Sequence, residues 1–323
     1  MNRYAVIMAA GKGTRMKSNR EDMSKVSFPV LGRPMVKWVL EALRPINPDK
    51  IVTIVGFGGE MSKAIVEKES EVVWQNEQKG TGHAVMMCAP LLEGKEGETI
   101  VCCGDTPLLR SETFQAMFEA HEQNHNDLTV LTAIAEEPKG YGRIIKKDGQ
   151  VTKIVEQKDC TPEEAAVKEI NAGVYIFDNK ALFEALKQIT PNNKAGEYYL
   201  TDVIALFVKA GKRVDSFILS DFAETMGVND RYHLSIAAEI LRDRINKIWM
   251  LEGVSMDDPK TTYISPDAKI GRDTLIRANT YVMGESVIGE NCVLGPNAYI
   301  ENAKIIDGAT ASFGSFVDRT IEK

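Results

Sequence analysis

A six-residue spacing of aliphatic side chains governs the C-terminal part of this chain. The aliphatic positions run without a break from Ile264 to Ile306. They are Ile264, Ile270, Ile276, Val282, Ile288, Leu294, Ile300 and Ile306. A six-residue repeat that stays in strict phase over eight hexads is very unlikely to arise by chance. It predicts a parallel β-solenoid in which these side chains stack inward, with three hexads in each triangular coil and about three coils.

The residue four places after each aliphatic position is usually small. These residues are Ala268, Thr274, Thr280, Ser286, Cys292, Ala298 and Thr310, and Lys304 is an exception. We expect the hexad register to fade at Ser312. Phe313, Phe316 and Val317 then form a poor cap, and exposed apolar end repeats are usually covered by association.

The N-terminal part shows a different pattern, in which short β-branched runs alternate with helical segments. The runs lie at 4–10, 51–55, 71–75, 99–104, 128–134 and 172–177. They predict strands that are buried on both faces. Between them, apolar residues share one helical face at Val36, Val39, Leu40 and Leu43, and again at Phe114, Met117 and Phe118. The alternation predicts an α/β, doubly wound, Rossmann-like sheet.

Two segments interrupt this alternation. Residues 143–156 carry Asp148-Gly149 between two strand-like runs, which predicts an antiparallel hairpin near the ligand pocket. A single helix is expected at 230–251, with an apolar stripe at Leu234, Ala237, Leu241, Ile245 and Ile248. We therefore expect a domain at 1–229, a linker helix at 230–251 and a short β-helix at 252–323.

Composition narrows the function class. The chain has 323 residues and a formal net charge of −7, which disfavours a nucleic-acid-binding protein because such proteins usually carry a basic excess. Its five cysteines include no CxxC pair, which favours free thiols in a reducing compartment. No apolar run approaches the roughly 20 residues of a membrane span. We expect a cytoplasmic protein that binds neither nucleic acid nor membranes.

The loop after the first strand suggests a phosphate site. The stretch AVIMAAGKGTRM places Gly11, Gly13 and Arg15 directly after a buried run. Glycines allow close approach of the backbone to phosphate, and arginine offers a fork of donors. The motif lacks the third glycine of a dinucleotide fingerprint and the GK[ST] ending of a P-loop. A tight turn with solvated charges is the alternative interpretation.

Asp105 is a candidate metal ligand because it follows the buried strand of CCGDTPLL. Ligands bind at the carboxyl ends of strands in open α/β sheets, and Mg²⁺ prefers oxygen ligands. Alternatively, Asp105 or Thr106 caps a helix that begins at Pro107. Lys25, in SKVSFPVLGRPM, precedes an apolar segment, and its position alone is only suggestive.

A third stretch, QNEQKGTGHAV at 75–85, combines amide, hydroxyl and glycine residues. Such groups suit the recognition of a base edge by hydrogen bonds, which makes Gln75, Gly80 and Thr81 candidates. The alternative is a loop capped by Thr81, with His83 beginning the next helix.

Taken together and in order, nine motifs resemble the family of bifunctional N-acetylglucosamine-1-phosphate uridylyltransferase/glucosamine-1-phosphate acetyltransferases. The motifs are AAGKGTRM, Lys25-Val26, EQKGTGHA, GDTPLL, GYGRI, IVEQKD, EINAGVYIF, GEYYLTD and EGVSMDDP. The resemblance covers essentially the whole chain, and the hexads correspond to the start of a left-handed β-helix. It implies an Mg²⁺-dependent enzyme that makes UDP-N-acetylglucosamine and pyrophosphate from UTP and N-acetylglucosamine-1-phosphate.

The resemblance also implies roles for individual residues. Those expected to hold the nucleotide phosphates are Met8, Ala9, Ala10, Gly11, Gly13, Arg15 and Lys25. Those expected to read the uracil are Gln75, Gly80 and Thr81. The sugar is expected to contact Gly142, Glu156 and Asn171, with Tyr199 nearby. Asp105 and Asn229 are the implied Mg²⁺ ligands, and Arg15, Lys25 and Asp105 are the implied catalytic residues.

The chain also departs from the family. Ser24 replaces the usual proline before Lys25, in a region that the resemblance places at phosphate. The family's acetyl-transfer histidine and its coenzyme A contacts correspond to positions beyond residue 323, so we expect no acetyl transfer.

The family's solenoids pack around a threefold axis, which implies a homotrimer. Two alternatives for the function stay open. One is a nucleotide-sugar-sensing module without turnover, and the other is a transferase for a different sugar-1-phosphate.

Overall fold

The computed structural model describes residues 1–20 and 22–321, which fall into two compact units. The first unit comprises Met1–Phe28 and Met35–Asp230, and the second comprises Pro29–Pro34 and Arg231–Lys323. The helix that we expected to act as a linker is grouped with the second unit. Among the described residues, none of the helices has both the length and the apolar character that crossing a membrane demands.

The first eleven strands in chain order are β1 (Arg3–Ala9), β2 (Pro29–Val30), β3 (Arg33–Pro34), β4 (Lys50–Val55), β5 (Glu71–Trp74), β6 (Glu98–Cys103), β7 (Leu128–Ile134), β8 (Arg143–Lys147), β9 (Gln150–Val155), β10 (Glu169–Asp178) and β11 (Val214–Ile218). In the described part of the first unit, nine of them form one mixed sheet in the order β11-β7-β10-β6-β1-β4-β5, with the hairpin β8–β9 attached to β10. The other two, β2 and β3, belong to the second unit and pair with each other.

Helices cover both faces of this sheet. They are α1 (Met35–Leu43), α2 (Gly59–Val66), α3 (Thr81–Met86), α4 (Ala89–Leu92), α5 (Ser111–Gln123), α6 (Pro162–Ala165), α7 (Asn179–Leu186) and α8 (Asp202–Lys209). Along β1, Tyr4 and Val6 join the core beneath α3, α7 and α8, whereas Ala5 and Ile7 join the core beneath α1 and α5. Because a strand alternates its side chains, one buried strand supplies two cores, as a doubly wound sheet requires.

Most of the strand predictions are confirmed, and so is the hairpin. Asp148 and Gly149 both have positive φ, 52° and 81°, which is the backbone of the two-residue turns that favour Asp-Gly. One strand prediction is wrong in its burial. The run at 71–75 forms β5, which is the edge strand of the sheet and pairs only with β4 among the described strands. Its residues are exposed or only partly buried, because an edge strand has a neighbour on one side only.

The C-terminal part of the second unit is a three-sided parallel β-helix. Its strands are β12 (Ser255–Met256), β13 (Tyr263–Ile264), β14 (Lys269–Ile270), β15 (Leu275–Ile276), β16 (Tyr281–Met283), β17 (Val287–Ile288), β18 (Val293–Leu294), β19 (Ala298–Glu301), β20 (Lys304–Ile305), β21 (Thr310–Ala311), β22 (Gly314–Val317) and β23 (Thr320–Ile321). Within the described residues they form three parallel sheets of four strands each. Each sheet takes one strand from every coil, so the prediction of a three-sided solenoid is confirmed, but the described strands form four coils rather than about three.

The hexad register breaks near its end, which corrects the predicted inner stack. Ile288 pairs with Ile305, and Ile305 is 1% exposed, whereas Ile306 is only half-buried. The step from Ile300 to Ile305 is therefore five residues, and the small inward positions are Ala303 and Ala309. Lys304 and Thr310 face outward. The coil also continues past Ser312 into β22 and β23, where Phe316 pairs with Ile300.

The long helix α9 (Arg231–Leu251) begins one residue after the predicted start. Ala237, Leu241 and Ile245 are buried as predicted, but Ile248 is 60% exposed. Asn246 is buried instead, and its Nδ2 donates to the carbonyl oxygens of Pro259 and Thr262 at 2.8 and 2.9 Å. The predicted apolar stripe is therefore wrong at Ile248. At this end the helix packs on backbone carbonyl groups, which need a hydrogen-bond donor such as Asn246.

The shifted register gives a direct test. Replacing Ile305 with Ala removes a fully buried side chain, so we expect a loss of about 2–4 kcal/mol in the free energy of unfolding of the second unit. The matched variant Ile306→Ala removes a half-buried side chain and is expected to cost less than about 1 kcal/mol. Urea denaturation followed by circular dichroism measures both. A larger cost for Ile306→Ala than for Ile305→Ala would restore the unbroken hexad register.

Candidate active site

The candidate site begins where β1 and β6 end side by side. The two strands are parallel, with Met8 paired to Cys103, so the loops that follow them leave the sheet at the same edge. The amide of Gly104 donates to the carbonyl oxygen of Met8 at 2.9 Å. Gly13 has a φ of +60°, and a Cβ there would lie 2.6 Å from Cβ of Lys25. Only glycine lets the loop pass this close to Lys25.

Lys25 lies at the centre of a polar cluster. Its Nζ contacts Oδ2 of Asp105 and lies 3.3 Å from Oδ1 of Asn229. Arg15 donates to the same Asn229 oxygen at 2.8 Å. The side chains of Lys25 and Asp105 are only 14% and 18% exposed, so Lys25 is not an ordinary solvated surface charge. The structure thus brings together the three predicted catalytic residues and Asn229.

The helix-cap interpretation of Asp105 is wrong. No helix begins at Pro107 in the described structure, and the next helix, α5, starts at Ser111. Thr106 donates its hydroxyl to the carbonyl oxygen of Cys103 at 2.8 Å. The Asp105 carboxylate caps no helix and contacts Nζ of Lys25 instead.

The residues of this cluster fit a divalent cation. One ammonium group contacts both the Asp105 carboxylate and the Asn229 amide oxygen, so these two oxygens converge on one point. Oxygen donors of this kind suit Mg²⁺, which usually takes one or two protein ligands and completes its shell with phosphate and water. Among residues 1–20 and 22–321, no group of three His, Cys, Asp or Glu side chains offers a fuller protein cage.

A cleft of about 310 Å³ adjoins the cluster. Its predicted lining residues are Met8, Ala9, Ala10, Gly11, Lys25, Gln75, Gly80, Thr81 and Asp105. Sequence reasoning missed the other lining residues, which are Val26, Gln78, Ala84, Cys103 and Glu197. Gln78 donates to the carbonyl oxygen of Ala10 at 2.6 Å and so ties two of the loops together. Gln78 could have been predicted as a site residue because it lies in the same stretch, QNEQKGTGHAV, as Gln75.

Gln75 is held in a fixed orientation at this cleft. It is 4% exposed, and its Nε2 donates to the carbonyl oxygen of Gly80 at 3.0 Å. The same Nε2 lies 3.0 Å from Nδ1 of His83, and burial lowers the pKa of His83. The helix α3 begins at Thr81 rather than at His83, and Thr81 accepts a hydrogen bond from the amide of Leu200 at 3.0 Å.

The predicted sugar residues form a second group. The amide of Asn171 donates to the carbonyl oxygen of Gly142 at 2.9 Å, and a Cβ on Gly142 would lie 3.6 Å from Oε2 of Glu156. A register shift in β10 after Asn171 lets its Nδ2 reach the hydroxyl of Tyr175 at 2.6 Å. Gly142, Glu156 and Asn171 do not line the 310 Å³ cleft.

Glu156 and Tyr199 line a separate cavity of about 330 Å³. Thr201, in the same lining, donates its hydroxyl to Oε1 of Glu156 at 3.2 Å. Burial raises the pKa of the Glu156 carboxyl, and the nearby Asp159 and Asp202 raise it further. Burial also raises the pKa of Tyr199. A partly buried carboxylate with acidic neighbours costs stability when it is ionised, and one that lines a cavity is suited to accept hydrogen bonds from a ligand.

Ser24, the residue that replaces the family's proline, lies in a buried hydroxyl cluster. Its Oγ lies 2.6 Å from Oγ of Ser62 on α2 and 3.2 Å from Oγ of Ser27. Ser27 and Ser62 are 2.9 Å apart, and all three residues are buried. Hydrogen bonds therefore fasten the Lys25 segment to α2 at a position where proline has no donor.

The raised pKa of Glu156 predicts how the melting temperature of Glu156→Gln depends on pH. The carboxyl proton of Glu156 is bound more tightly in the folded state than in the unfolded state. The protonated carboxyl therefore contributes to stability below the ordinary glutamate pKa, and this contribution is lost as the pH rises through the pKa of the folded state. Glu156→Gln should therefore raise the melting temperature at pH 8 and leave it nearly unchanged at pH 4. Thermal unfolding across this range measures the difference.

Glu69→Gln is the matched control for this pH dependence. Glu69 contacts both Lys37 and Arg44, and its pKa is lowered, so the variant should lose stability at pH 8 instead. A fall in melting temperature at pH 8 for Glu156→Gln would contradict the account of Glu156.

The chain resembles known proteins over both units. The model of the nucleotidyl transferase family matches residues 4–250, and the bacterial transferase hexapeptide model matches residues 267–302. Together they confirm the predicted fold class, an α/β Rossmann-like domain followed by a left-handed parallel β-helix.

Two solved structures share the fold of the first unit. One is a UDP-glucose pyrophosphorylase complexed with UDP-glucose, with 20% identity and a TM-score of 0.60 over 76% of this chain and 100% of that one. The other is a putative glucose-1-phosphate thymidylyltransferase from Bacillus anthracis in complex with a sucrose, with 20% identity and a TM-score of 0.59 over 75% of this chain and 96% of that one. At this identity the likeness concerns the fold alone.

Curated relatives are much more similar in sequence. The bifunctional protein GlmU of Lactobacillus johnsonii is 54% identical over 280 residues, which cover 86% of this chain and 60% of that protein. The bifunctional protein GlmU of Streptococcus suis is 49% identical over 323 residues, which cover 100% of this chain and 70% of that protein. The chain thus spans between about three fifths and seven tenths of these relatives. It belongs to the nucleotidyl transferase family and, within that family, to the GlmU proteins.

Proposed function

We propose that this protein is a uridylyltransferase that makes UDP-N-acetylglucosamine and pyrophosphate from UTP and N-acetylglucosamine-1-phosphate. The observation that carries the proposal is the convergence of Arg15, Lys25, Asp105 and Asn229 beside a cleft of about 310 Å³. Two cations and two oxygen ligands meet at the carboxyl ends of parallel strands, where α/β proteins bind nucleotides. Membership of the GlmU proteins supports the choice of substrates.

The cleft residues divide into a phosphate group and a base group. The backbone from Met8 to Gly13 approaches the phosphates, and Arg15 and Lys25 supply positive charge. Gln75, Gly80 and Thr81 recognise the uracil edge by hydrogen bonds. Gln78 holds these two loops together through its bond to Ala10.

The sugar group comprises Gly142, Glu156 and Asn171, with Tyr199 beside Glu156. The absence of a side chain at Gly142 leaves room in front of Oε2 of Glu156. A partly buried carboxylate with the hydroxyl of Thr201 as its partner is a strong acceptor for sugar hydroxyl groups.

The reaction then needs positioning and charge neutralisation rather than a covalent nucleophile. A phosphate oxygen of the sugar-1-phosphate attacks the α-phosphorus of UTP, the bond to the bridging oxygen breaks, and that oxygen leaves with pyrophosphate. Lys25 moves from Asp105 to a phosphate oxygen when the nucleotide arrives, and Arg15 stabilises the growing negative charge. Asp105 and Asn229 would hold Mg²⁺, which would neutralise charge on the reacting phosphates.

We also propose that the chain forms a homotrimer through the second unit. Tyr281 and Tyr299 are partly exposed. Tyr281 stacks on Tyr263, Tyr299 is tilted against Tyr281, and Phe313 is 79% exposed. Apolar surface of this kind is commonly covered by association. Sedimentation equilibrium should give three times the chain mass, and a monomer at high concentration would contradict the trimer.

The substrate proposal is tested by pyrophosphate release. With UTP and Mg²⁺, we expect rapid release with N-acetylglucosamine-1-phosphate and much slower release with the glucose, galactose and glucosamine analogues. Chelation of the metal should abolish the signal. UTP binding without release for any sugar-1-phosphate would favour a sensing module instead, and preference for another sugar would reassign the substrate.

Asp105→Asn tests the metal role. The variant loses a charged oxygen ligand, so we expect kcat to fall at least about 100-fold and the Mg²⁺ requirement to rise. Asp148→Asn, in the exposed hairpin turn, is the matched control and should behave like the unmodified protein. Near-normal activity of Asp105→Asn at limiting Mg²⁺ would contradict the assignment.

A further inference from the structure

A fully buried carboxylate lies on the segment that precedes Asn229. The side chain of Glu224 is 0% exposed, although glutamate is almost never buried without partners. Among the described residues, it accepts four hydrogen bonds, two at each carboxylate oxygen. Oε1 receives Nε and a terminal nitrogen of Arg110 at 2.8 and 2.6 Å, and Oε2 receives the Arg110 amide and the Thr113 hydroxyl at 2.9 and 2.7 Å.

These bonds join two loops that carry the proposed metal ligands. Arg110 lies just before α5, at the end of the loop that begins with Asp105, and Glu224 lies in the turn Phe222–Thr225 that leads to Asn229. A second tie lies closer to the ligands, where the amide of Val228 donates to the carbonyl oxygen of Asp105 at 2.8 Å. Two loops joined at one point can still rotate about it, whereas a second tie fixes their relative orientation.

The Glu224 carboxylate is also difficult to replace. It holds the backbone amide of Arg110 as well as its guanidinium, so it fixes the path of the loop and not only the side chain. Loss of its charge leaves the half-exposed Arg110 with weaker acidic neighbours, which are Asp221 at 3.4 Å and Glu112. Burying a carboxylate costs desolvation free energy, and hydrogen bonds to both of its oxygens are needed to offset that cost. Each oxygen of Glu224 accepts two such bonds.

We infer that Glu224 and Arg110 form a clamp that sets the spacing of Asp105 and Asn229, and thereby the affinity of the site for the metal–nucleotide complex. Glu224 is a positioning residue in this inference, which rests on the proposed function. Neighbours that orient metal ligands typically change metal affinity by about 10- to 100-fold when they are replaced. The clamp acts through the two loops and needs no contact between Glu224 and any ligand.

The test measures Mn²⁺ binding to the full chain in the presence of UTP, without sugar phosphate, by electron paramagnetic resonance. Glu224→Gln should raise the dissociation constant for Mn²⁺ at least about tenfold. Thr113→Val removes one of the four bonds with little change in shape, and it should raise the constant by a smaller factor. The matched control is Glu69→Gln, which also removes the charge of an ion-paired carboxylate, here one that contacts Lys37 and Arg44, and it should leave the constant unchanged.

The outcomes separate the clamp from a purely structural role. If Glu224→Gln and Thr113→Val lower the melting temperature but bind Mn²⁺ as tightly as the unmodified protein while folded, the inference is overturned. If Glu224→Gln does not fold, Thr113→Val decides alone. If the unmodified protein binds no Mn²⁺ with UTP, the proposed function fails and the inference fails with it. Binding by the unmodified protein but equal binding by both variants overturns the inference only.

Discussion

The contact of Lys25 with Asp105 depends on the parallel pairing of β1 with β6. This pairing delivers two loops to one edge of the sheet, and one loop carries the glycines while the other carries Asp105. The close approach of Gly13 then places Lys25 against the Asp105 carboxylate. Asn229 joins from a third segment, which the amide of Val228 fastens to Asp105. The strand register thus determines which charges meet.

The site concentrates groups that contribute little to stability by themselves. Lys25 and Asp105 are mostly withdrawn from water, and partial burial, together with nearby carboxylates, raises the pKa of Glu156. Such groups are costly to bury unless a ligand or metal completes their contacts. The surrounding cores beneath α1 and α8 consist of buried apolar side chains, and they offset that cost. Function and stability are therefore divided between the edge of the sheet and its two faces.

The sequence predicts the fold well because both units repeat a local pattern. Hexads and alternating β-runs report burial directly, so their main features are confirmed. Errors occur where contacts between distant segments decide. The five-residue step to Ile305 depends on pairing with Ile288, and the burial of Asn246 depends on the carbonyl groups that it meets. Neither partner is visible from periodicity.

The candidate site was less accessible to sequence reasoning. Glycines and Asp105 follow strands and could be found from their position, whereas Asn229 and Asn171 required the family resemblance. Gln78 and Glu224 act through hydrogen bonds to residues distant in sequence, Ala10 and Arg110, and only the folded chain reveals these partners.

The central claim is that Lys25, Asp105 and Asn229 form a centre that exchanges an internal ion pair for a metal–nucleotide complex. The most direct measurement is a crystal structure with Mn²⁺ and UTP, in which anomalous scattering locates the metal. We predict a Mn²⁺ peak bonded to the Asp105 carboxylate and the Asn229 amide oxygen, with Lys25 Nζ on a phosphate oxygen. A peak elsewhere, with Lys25 still held by Asp105, would contradict the account.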